Sequence, residues 1–146
     1  MISLEDRMAI MELIALHGHL VDDGRLDELS RVFAEDVTHD LTAFGLGIHQ
    51  GLGSLREAAE ALVDANPVGH HVTNSVIVDV KDDHTAVTRS KGIGIGADGT
   101  TGSVVYDDTV TKRDGAWRIT YRRITVRHKP LGCDDGGKCD YVRSIY

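Results

Sequence analysis

The chain has 146 residues, a net charge of −7 with histidine neutral, and 41% hydrophobic residues. This composition is that of a globular protein, and the length fits one compact domain. The acidic balance argues against a phosphate-binding surface, so we expect no nucleic-acid partner. The sequence has no run long enough for a membrane helix and no signal-peptide core, so we expect a cytoplasmic protein without a membrane partner.

The first part of the chain has the periodicity of helices. Ser3 can cap a helix whose first turn carries Glu5 and Asp6, where the helix dipole favours carboxylates. Apolar residues then recur every three to four positions, and the helix is predicted to end around residues 22–24, where a glycine suits the C-terminus. A short second helix is predicted to follow, with its inward-facing residues at Leu26, Leu29, Val32 and Phe33.

A strand, a loop and a third helix come next. The strand is predicted over residues 37–41, and a glycine-punctuated loop spans residues 45–51. The segment Ser54–Glu57 has the form of a capping box, which predicts a helix that continues through Ala65. Asn66-Pro67 ends this helix, because a residue before proline disfavours the helical conformation.

The remaining sequence has the pattern of an antiparallel meander. Asp98-Gly99 and Asp114-Gly115 are signals for tight hairpin turns. Helices followed by a meander indicate an α+β fold, in which a curved, mostly antiparallel sheet wraps on the N-terminal helices as a cone-shaped barrel with an interior pocket. The four predicted strands of the meander cover residues 72–80, 85–95, 102–112 and 116–127.

No motif indicates a cofactor or a metal. Gly94–Gly99 spells G-x-G-x-x-G, but a dinucleotide site needs a strand before this motif and a helix after it, whereas this one ends in a predicted hairpin. Cys133 and Cys139 fall short of the four ligands of a structural zinc site. We expect both to be free thiols in a tail over residues 129–146, which follows a domain over residues 1–128.

Histidines near carboxylates are the main signs of chemistry. His70 and His71 lie at the entry to the meander, and Asp22 and Asp23 lie at the end of the opening helix. A His–Asp pair can act as a general base, because the carboxylate holds one tautomer of the imidazole and stabilises the imidazolium. Since side chains alternate along a strand, only one of the two histidines should face inward.

Four segments of the chain together resemble the SnoaL-like branch of the nuclear-transport-factor-2-like superfamily. Their order and spacing carry the resemblance, which covers roughly residues 3–128. The segments are VDDGRLDEL from Val21, FGLG from Phe44 with Gly51 after it, HHVTN from His70 and RDGAWRI from Arg113.

This resemblance implies a cone with a deep, mostly apolar cavity. The family includes polyketide cyclases, scytalone dehydratase, a hexachlorocyclohexane dehydrochlorinase and a bile-acid dehydratase, and the last three use a His–Asp pair to eliminate water or chloride. By position, Asp22 matches the aspartate of that pair. His70, four residues before Asn74, matches the histidine, and His71 is kept as the alternative.

The resemblance also implies residues that bind the substrate. His17 falls where the bile-acid dehydratase has an active-site tyrosine, although a histidine at the edge of the core is the alternative. Arg122 matches an arginine that polarises or anchors the substrate in the dehydrochlorinase. Tyr106 and Tyr121 could each donate a hydrogen bond to a substrate oxygen, and packing is the alternative role for both.

These observations predict a cofactor-independent lyase, similar to a dehydratase, that acts on a small hydrophobic cyclic substrate through a His–Asp base. A polyketide cyclase or an isomerase similar to ketosteroid isomerase is the alternative that uses the same base. The fold would equally suit a non-catalytic small-molecule-binding protein, or a subunit similar to the β-subunit of a ring-hydroxylating oxygenase. The family resemblance also implies a homodimer or homotrimer.

Overall fold

The computed structural model describes residues 1–130, and these contain two α-helices and six β-strands. Two short 3-10 turns, Thr42–Phe44 and Val63–Ala65, lie between larger elements. In chain order, the larger elements are α1 (Leu4–Asp22), a 3-10 helix (Leu26–Arg31), β1 (Phe33–Asp40), β2 (Ile48–Gln50), α2 (Leu52–Leu62), β3 (Gly69–Val80), β4 (Thr85–Ile95), β5 (Thr101–Arg113) and β6 (Ala116–Arg127).

The six strands form one sheet in the order β2-β1-β6-β5-β4-β3. Strands β3 to β6 are an antiparallel meander, β1 pairs with β2 antiparallel, and β1 pairs with β6 parallel. The prediction of an α+β fold is confirmed. The sheet stays open, with β2 and β3 at its edges, where the sequence led us to expect a barrel.

Helix α1 packs along the inner face of the sheet. Ser3 caps it by accepting a hydrogen bond from the backbone N–H of Asp6 at 3.0 Å. Burying a large apolar side chain of α1 against the sheet stabilises the fold by roughly 1.5–3 kcal/mol. The side chains of α1 that join the core are Ile10, Leu13, Ile14 and Leu20, and they meet Phe33, Val37, Val110 and Ile119 there.

A polar contact fixes the N-terminal end of α1 to the hairpin between β5 and β6. The Asp6 carboxylate accepts hydrogen bonds from Lys112 Nζ at 2.7 Å and from Trp117 Nε1 at 2.8 Å. These two hydrogen bonds lower the pKa of Asp6 to about 2. With this end fixed, the C-terminal end of α1 lies against β3, where the candidate site is found.

The element bounds follow the prediction closely where turns are strongly marked and less closely elsewhere. Strands β4 and β6 begin and end where predicted, whereas β3 begins at Gly69 rather than at residue 72. The first predicted strand is longer, at Phe33–Asp40, and the predicted loop over residues 45–51 contains the short strand β2. The predicted second helix is a 3-10 helix, and Phe33 lies in β1 instead.

The predicted capping box at the start of the third helix is wrong. Helix α2 begins at Leu52, and its N-cap is Gly51, which makes no side-chain hydrogen bond. Ser54 lies inside the first turn, where its Oγ is 3.0 Å from His49 Nδ1. The α-helix ends at Leu62, and a 3-10 turn replaces the last predicted turn of the helix. The side-chain amide of Asn66 donates hydrogen bonds to the backbone carbonyls of Ala59 and Val63.

Of the predicted tail over residues 129–146, only residues 129–130 belong to the described structure. Cys133 and Cys139 lie outside the described residues. Within residues 1–130, no helix combines the length and the hydropathy that a membrane span requires.

Candidate active site

Asp22 and His70 form a two-point contact between the end of α1 and the start of β3. The Oδ1 atom of Asp22 lies 2.6 Å from His70 Nδ1, and its Oδ2 atom accepts a hydrogen bond from the backbone N–H of His70 at 2.8 Å. The two side chains are 23% and 18% exposed. One carboxylate therefore holds both the backbone and the ring of His70.

This contact defines the tautomer of His70. Because a carboxylate only accepts hydrogen bonds, the ring proton lies on Nδ1 and the lone pair is on Nε2. A free Nε2 can take a proton, and the carboxylate then stabilises the imidazolium. The pair therefore has the geometry of a general base.

Gly18 permits the close approach of α1 to β3 that brings this pair together. It lies one helical turn before Asp22, and it is buried. A Cβ atom placed on Gly18 would lie 2.3 Å from the carbonyl oxygen of His70. Since that neighbour is backbone, a side chain at this position would force the helix and the strand apart.

We expect Gly18→Ala to destabilise the protein by about 1–3 kcal/mol, the usual cost of overpacking, and to separate Asp22 from His70. Urea unfolding measures the stability, and the ¹⁵N chemical shifts of the His70 ring report its hydrogen bond to Asp22. Gly53→Ala is the matched control, because Gly53 lies in α2 with no atom within 4 Å of the added Cβ. If both variants had wild-type stability and wild-type shifts of the His70 ring, the close packing of Gly18 would not matter.

Behind the dyad, His17 contacts a buried ion pair. Arg122 donates from Nε and Nη2 to the two carboxylate oxygens of Asp108, at 2.7 Å each, and both side chains are completely buried. The Nη1 atom of Arg122 lies 3.1 Å from His17 Nδ1. Burial opposes the charge of Arg122, but the attraction of Asp108 outweighs it and raises the pKa of the guanidinium.

Aromatic rings enclose this polar cluster. The His17 ring centroid lies 5.5 Å from that of Phe33, 6.0 Å from that of Tyr106 and 6.1 Å from that of His70. The guanidinium carbon of Arg122 lies 4.4 Å from the centre of the Tyr106 ring, which is a cation–π contact. Burial raises the pKa of Tyr106, so its hydroxyl keeps its proton at neutral pH.

Gly92 of β4 makes room for Tyr106. A Cβ atom on Gly92 would lie 2.5 Å from Cε2 and 2.8 Å from the hydroxyl oxygen of Tyr106. The part of the cluster around Arg122 is therefore packed with side chains. This differs from the deep, mostly apolar cavity that the family resemblance implies.

The open space next to the dyad is a groove of about 560 Å³ that reaches Asp22 from outside. The ends of α1 and α2 and the segment before β3 form its walls. Its apolar lining includes Val21, Leu26, Ala59, Val63, Pro67 and Val68. A small apolar molecule in this groove would lie beside the Asp22 carboxylate.

The structure brings together five of the seven predicted site residues, namely Asp22, His70, His17, Arg122 and Tyr106. It does not bring His71 or Tyr121 to them. His71 follows His70 on β3, so its side chain points to the opposite face of the strand, and it is exposed. Tyr121 precedes Arg122 on β6 and donates a hydrogen bond to Asp40 Oδ2 at 3.3 Å.

Sequence reasoning missed two members of this cluster, Asp108 and His39. Asp108 lies two residues after Tyr106 on β5, so the alternation of side chains places both on the same face. His39 is paired with Arg122 in the register of β1 and β6. The Nε2 atom of His39 is buried without a hydrogen-bond partner among the described residues. Burial first, and then the charge of Arg122, lower the pKa of His39 to about 3.

We expect acid to destabilise the protein partly through His39. Its native pKa of about 3 lies below the value near 6.5 of an unfolded histidine, so the unfolded state binds more protons between these values. The contribution of His39 to the free energy of unfolding is then fully present above pH 6.5 and is lost as the pH falls. Between pH 7 and pH 5 this loss is about 2 kcal/mol. Urea unfolding at both pH values should show a smaller decline for His39→Gln than for the wild type. The exposed His84→Gln is the control and should decline like the wild type.

Within residues 1–130, no three His, Cys, Asp or Glu side chains cluster closely enough to hold a metal ion. The candidate site therefore consists of the Asp22–His70 pair, His17, the Arg122–Asp108 ion pair behind it and the ring of Tyr106.

An open sheet around a long helix, with a His–Asp pair where the two meet, defines a class of small α+β proteins. Residues 3–123 match the family model of the SnoaL-like domain, and the chain belongs to this family. Among curated proteins, none matches the chain.

Solved structures share the fold. A proposed aromatic ring hydroxylase from Novosphingobium aromaticivorans is 29% identical, with a TM-score of 0.69 over 87% of this chain and 92% of that chain. A proposed scytalone dehydratase from the same organism is 24% identical, with a TM-score of 0.73 over 90% and 96% of the two chains. The hexachlorocyclohexane dehydrochlorinase LinA-type3 from Novosphingobium barchaimii is 19% identical, with a TM-score of 0.71 over 90% and 93%. The last two likenesses establish the fold alone.

Proposed function

We propose that the chain is a cofactor-independent lyase, similar to a dehydratase, that acts on a small hydrophobic cyclic substrate. His70 is the general base, and Asp22 orients it. The observation that carries this proposal is the two-point hydrogen bonding of the Asp22 carboxylate to His70, beside a groove whose walls are partly apolar. Membership of the SnoaL-like family supports it.

The walls of the groove include Asp22 but not His70. In the proposed reaction, the substrate therefore extends past Asp22 until one of its C–H bonds reaches His70 Nε2. The imidazole takes the proton, and the C–H electron pair forms a carbon–carbon double bond. The leaving group departs from the adjacent carbon with its bonding electrons, and a hydroxyl takes the proton from His70 and leaves as water. Asp22 stabilises the imidazolium formed in this step. A positioned base of this kind contributes typically about 10²–10⁴-fold to the rate. Two of the structural neighbours are named for eliminations of this type, of water and of hydrogen chloride.

Two simple probes test this function. Exchange of the α-protons of 1-tetralone in D₂O, followed by NMR, reports proton abstraction alone, and the loss of water from 3-hydroxycyclohexanone, followed by ultraviolet absorbance, reports elimination. We expect His70→Gln to abolish both activities and to leave 1-tetralone binding intact, because the base is lost and the groove is kept. The neighbouring His71→Gln is the matched control and should keep both activities.

The outcomes separate the enzyme from a binding protein. If the wild type binds 1-tetralone but neither exchanges its protons nor dehydrates the hydroxyketone, a non-catalytic small-molecule-binding protein is the better description. If His70→Gln keeps the wild-type rates, the base lies elsewhere. The homodimer or homotrimer and the cytoplasmic location stay predictions.

One comparison favours a second candidate. The neighbour that is 29% identical is described as a proposed aromatic ring hydroxylase, which fits a subunit of a ring-hydroxylating oxygenase. Such a subunit would co-purify with a larger iron-containing chain and would need no base. Purification of the chain alone as an active lyase would exclude this role.

A further inference from the structure

Helix α1 carries a second apolar stripe, on the side that points away from the sheet. Its buried side chains, such as Ile10 and Ile14, face the core. On the opposite side, a set of exposed apolar residues forms what we call the α1 stripe, namely Leu4, Met8, Met11 and Ala15. The first three are 69%, 57% and 36% exposed. A surface helix normally directs polar residues toward solvent, and a continuous exposed apolar patch is typical of an interaction surface.

The spacing of the α1 stripe is that of a coiled-coil interface. Its members are separated by four, three and four residues, so they fill positions d, a, d and a of a heptad repeat. At 1.5 Å per residue, the stripe is about 17 Å long. Gly18 would take the next d position, but it is buried against the backbone of β3. The stripe therefore ends before the candidate active site begins.

Two charged residues flank the α1 stripe on opposite sides. Arg7 takes the g position and Glu12 the following e position, and both are exposed. Within residues 1–130, neither side chain takes part in an ion pair. When two helices pair in parallel, the g position of one helix lies beside the following e position of the other. Arg7 of each copy would then face Glu12 of the other copy.

We propose that the α1 stripe is the interface of a homodimer, in which it packs in parallel against the same stripe of a second copy. Each apolar residue then meets its own counterpart across the two-fold axis, and two ion pairs between Arg7 and Glu12 flank them. Antiparallel packing would instead bring Glu12 beside Glu5 of the second copy, because e positions then face each other, and like charges repel. So short a stripe buries less than a standard interface of about 1,600 Å², so the dimer is weak. This inference does not depend on the proposed function.

Charge reversal tests the pairing without removing an apolar contact. We expect Arg7→Glu and Glu12→Arg each to raise the dissociation constant of the dimer by about 10-fold, because both ion pairs become contacts between like charges. The variant with both changes restores the two ion pairs and should dimerise like the wild type. A mixture of the two single variants should form a heterodimer, because each charge then faces its opposite. Sedimentation velocity of the full chain measures these equilibria.

Glu57→Arg is the matched control, because it makes the same change of charge at an exposed position of α2, and it should dimerise like the wild type. Met8→Glu places two carboxylates at the centre of the interface and should give a folded monomer, since Met8 lies outside the core. Circular dichroism checks that each variant is folded.

Four results would overturn the inference. The first is a wild type that stays monomeric up to about 1 mM. The second is a dimer that Met8→Glu leaves intact. The third is a dimer that Ile93→Glu abolishes, because Ile93 is exposed on β4 and the interface would then lie on the sheet. The fourth is a dimer that Glu12→Arg tightens, which would indicate antiparallel packing.

Discussion

Asp22→Asn should lower the rate of α-proton exchange by about 10²–10⁴-fold while the fold is retained, because an amide cannot accept both hydrogen bonds that Asp22 accepts from His70. The amide oxygen can accept from the backbone N–H, but the amide nitrogen then faces the ring. The ring must turn its Nδ1 lone pair toward that nitrogen and move its proton to Nε2. His70 would then offer a donor where the reaction needs a base.

Asp23→Asn is the matched control for this change. Asp23 is the next residue in the chain and the C-cap of α1, and the hydrogen bonds of His70 go to Asp22 and not to Asp23. The control should exchange α-protons at the wild-type rate. Equal losses in both variants would point to the end of the helix rather than to the dyad. An Asp22→Asn variant with wild-type exchange would remove Asp22 from the mechanism. Circular dichroism of both variants checks that the fold is kept.

The sequence pattern placed two candidate aspartates and two candidate histidines at well-marked boundaries, and the family resemblance selected Asp22 and favoured His70. A glycine after Asp23 marks the end of α1, and the change from helical to alternating periodicity marks the start of β3. The choice between His70 and His71 depended on which side chain faces inward, and the sequence left that open. The structure places His70 against Asp22, in the part of β3 that precedes its predicted start at residue 72.

The partners of Arg122 could not be predicted in the same way. Asp108 and His39 reach Arg122 through the register of three strands, and the β5–β6 register shifts between Thr109 and Val110. A shift of one residue reverses the face of every later side chain, so strand patterns alone do not determine these contacts. The interior was expected to be apolar and hollow, yet it holds a charged pair, because each charge there has a partner.

The sequence did not predict β2, because this strand depends on pairing with another strand rather than on its own residues. This strand has only three residues, Ile48–Gln50, between glycines, and its local sequence resembles a loop. It forms because β1 offers it an edge, with Thr38 opposite Gln50 and a hydrogen bond of 3.0 Å between their side chains. The parallel contact of β1 with β6 likewise joins segments that are about 80 residues apart, which no short window of sequence contains.

Removing the charge of Arg122 should have the largest effect on stability. Arg122→Met leaves the Asp108 carboxylate completely buried without its counter-charge, and we expect a loss of about 3–5 kcal/mol in the free energy of unfolding. The double variant Arg122→Met with Asp108→Leu removes both charges and should recover most of that loss, since an apolar pair of similar volume is tolerated in a core. Urea unfolding of the two single variants and the double variant gives the interaction energy directly.

Arg113→Met is the matched control, because Arg113 makes an ion pair with Asp36 at the same 2.7 Å distance but with both side chains about half exposed or more. Exposed pairs contribute at most about 1 kcal/mol, so this variant should stay close to the wild type. If Arg122→Met cost no more than Arg113→Met, the buried pair would not be a stabilising contact. The double variant also separates stability from chemistry. Even with the fold restored, the double variant lacks the hydrogen bond from Arg122 Nη1 to His17 Nδ1, so a loss of α-proton exchange in it would come from the site and not from unfolding.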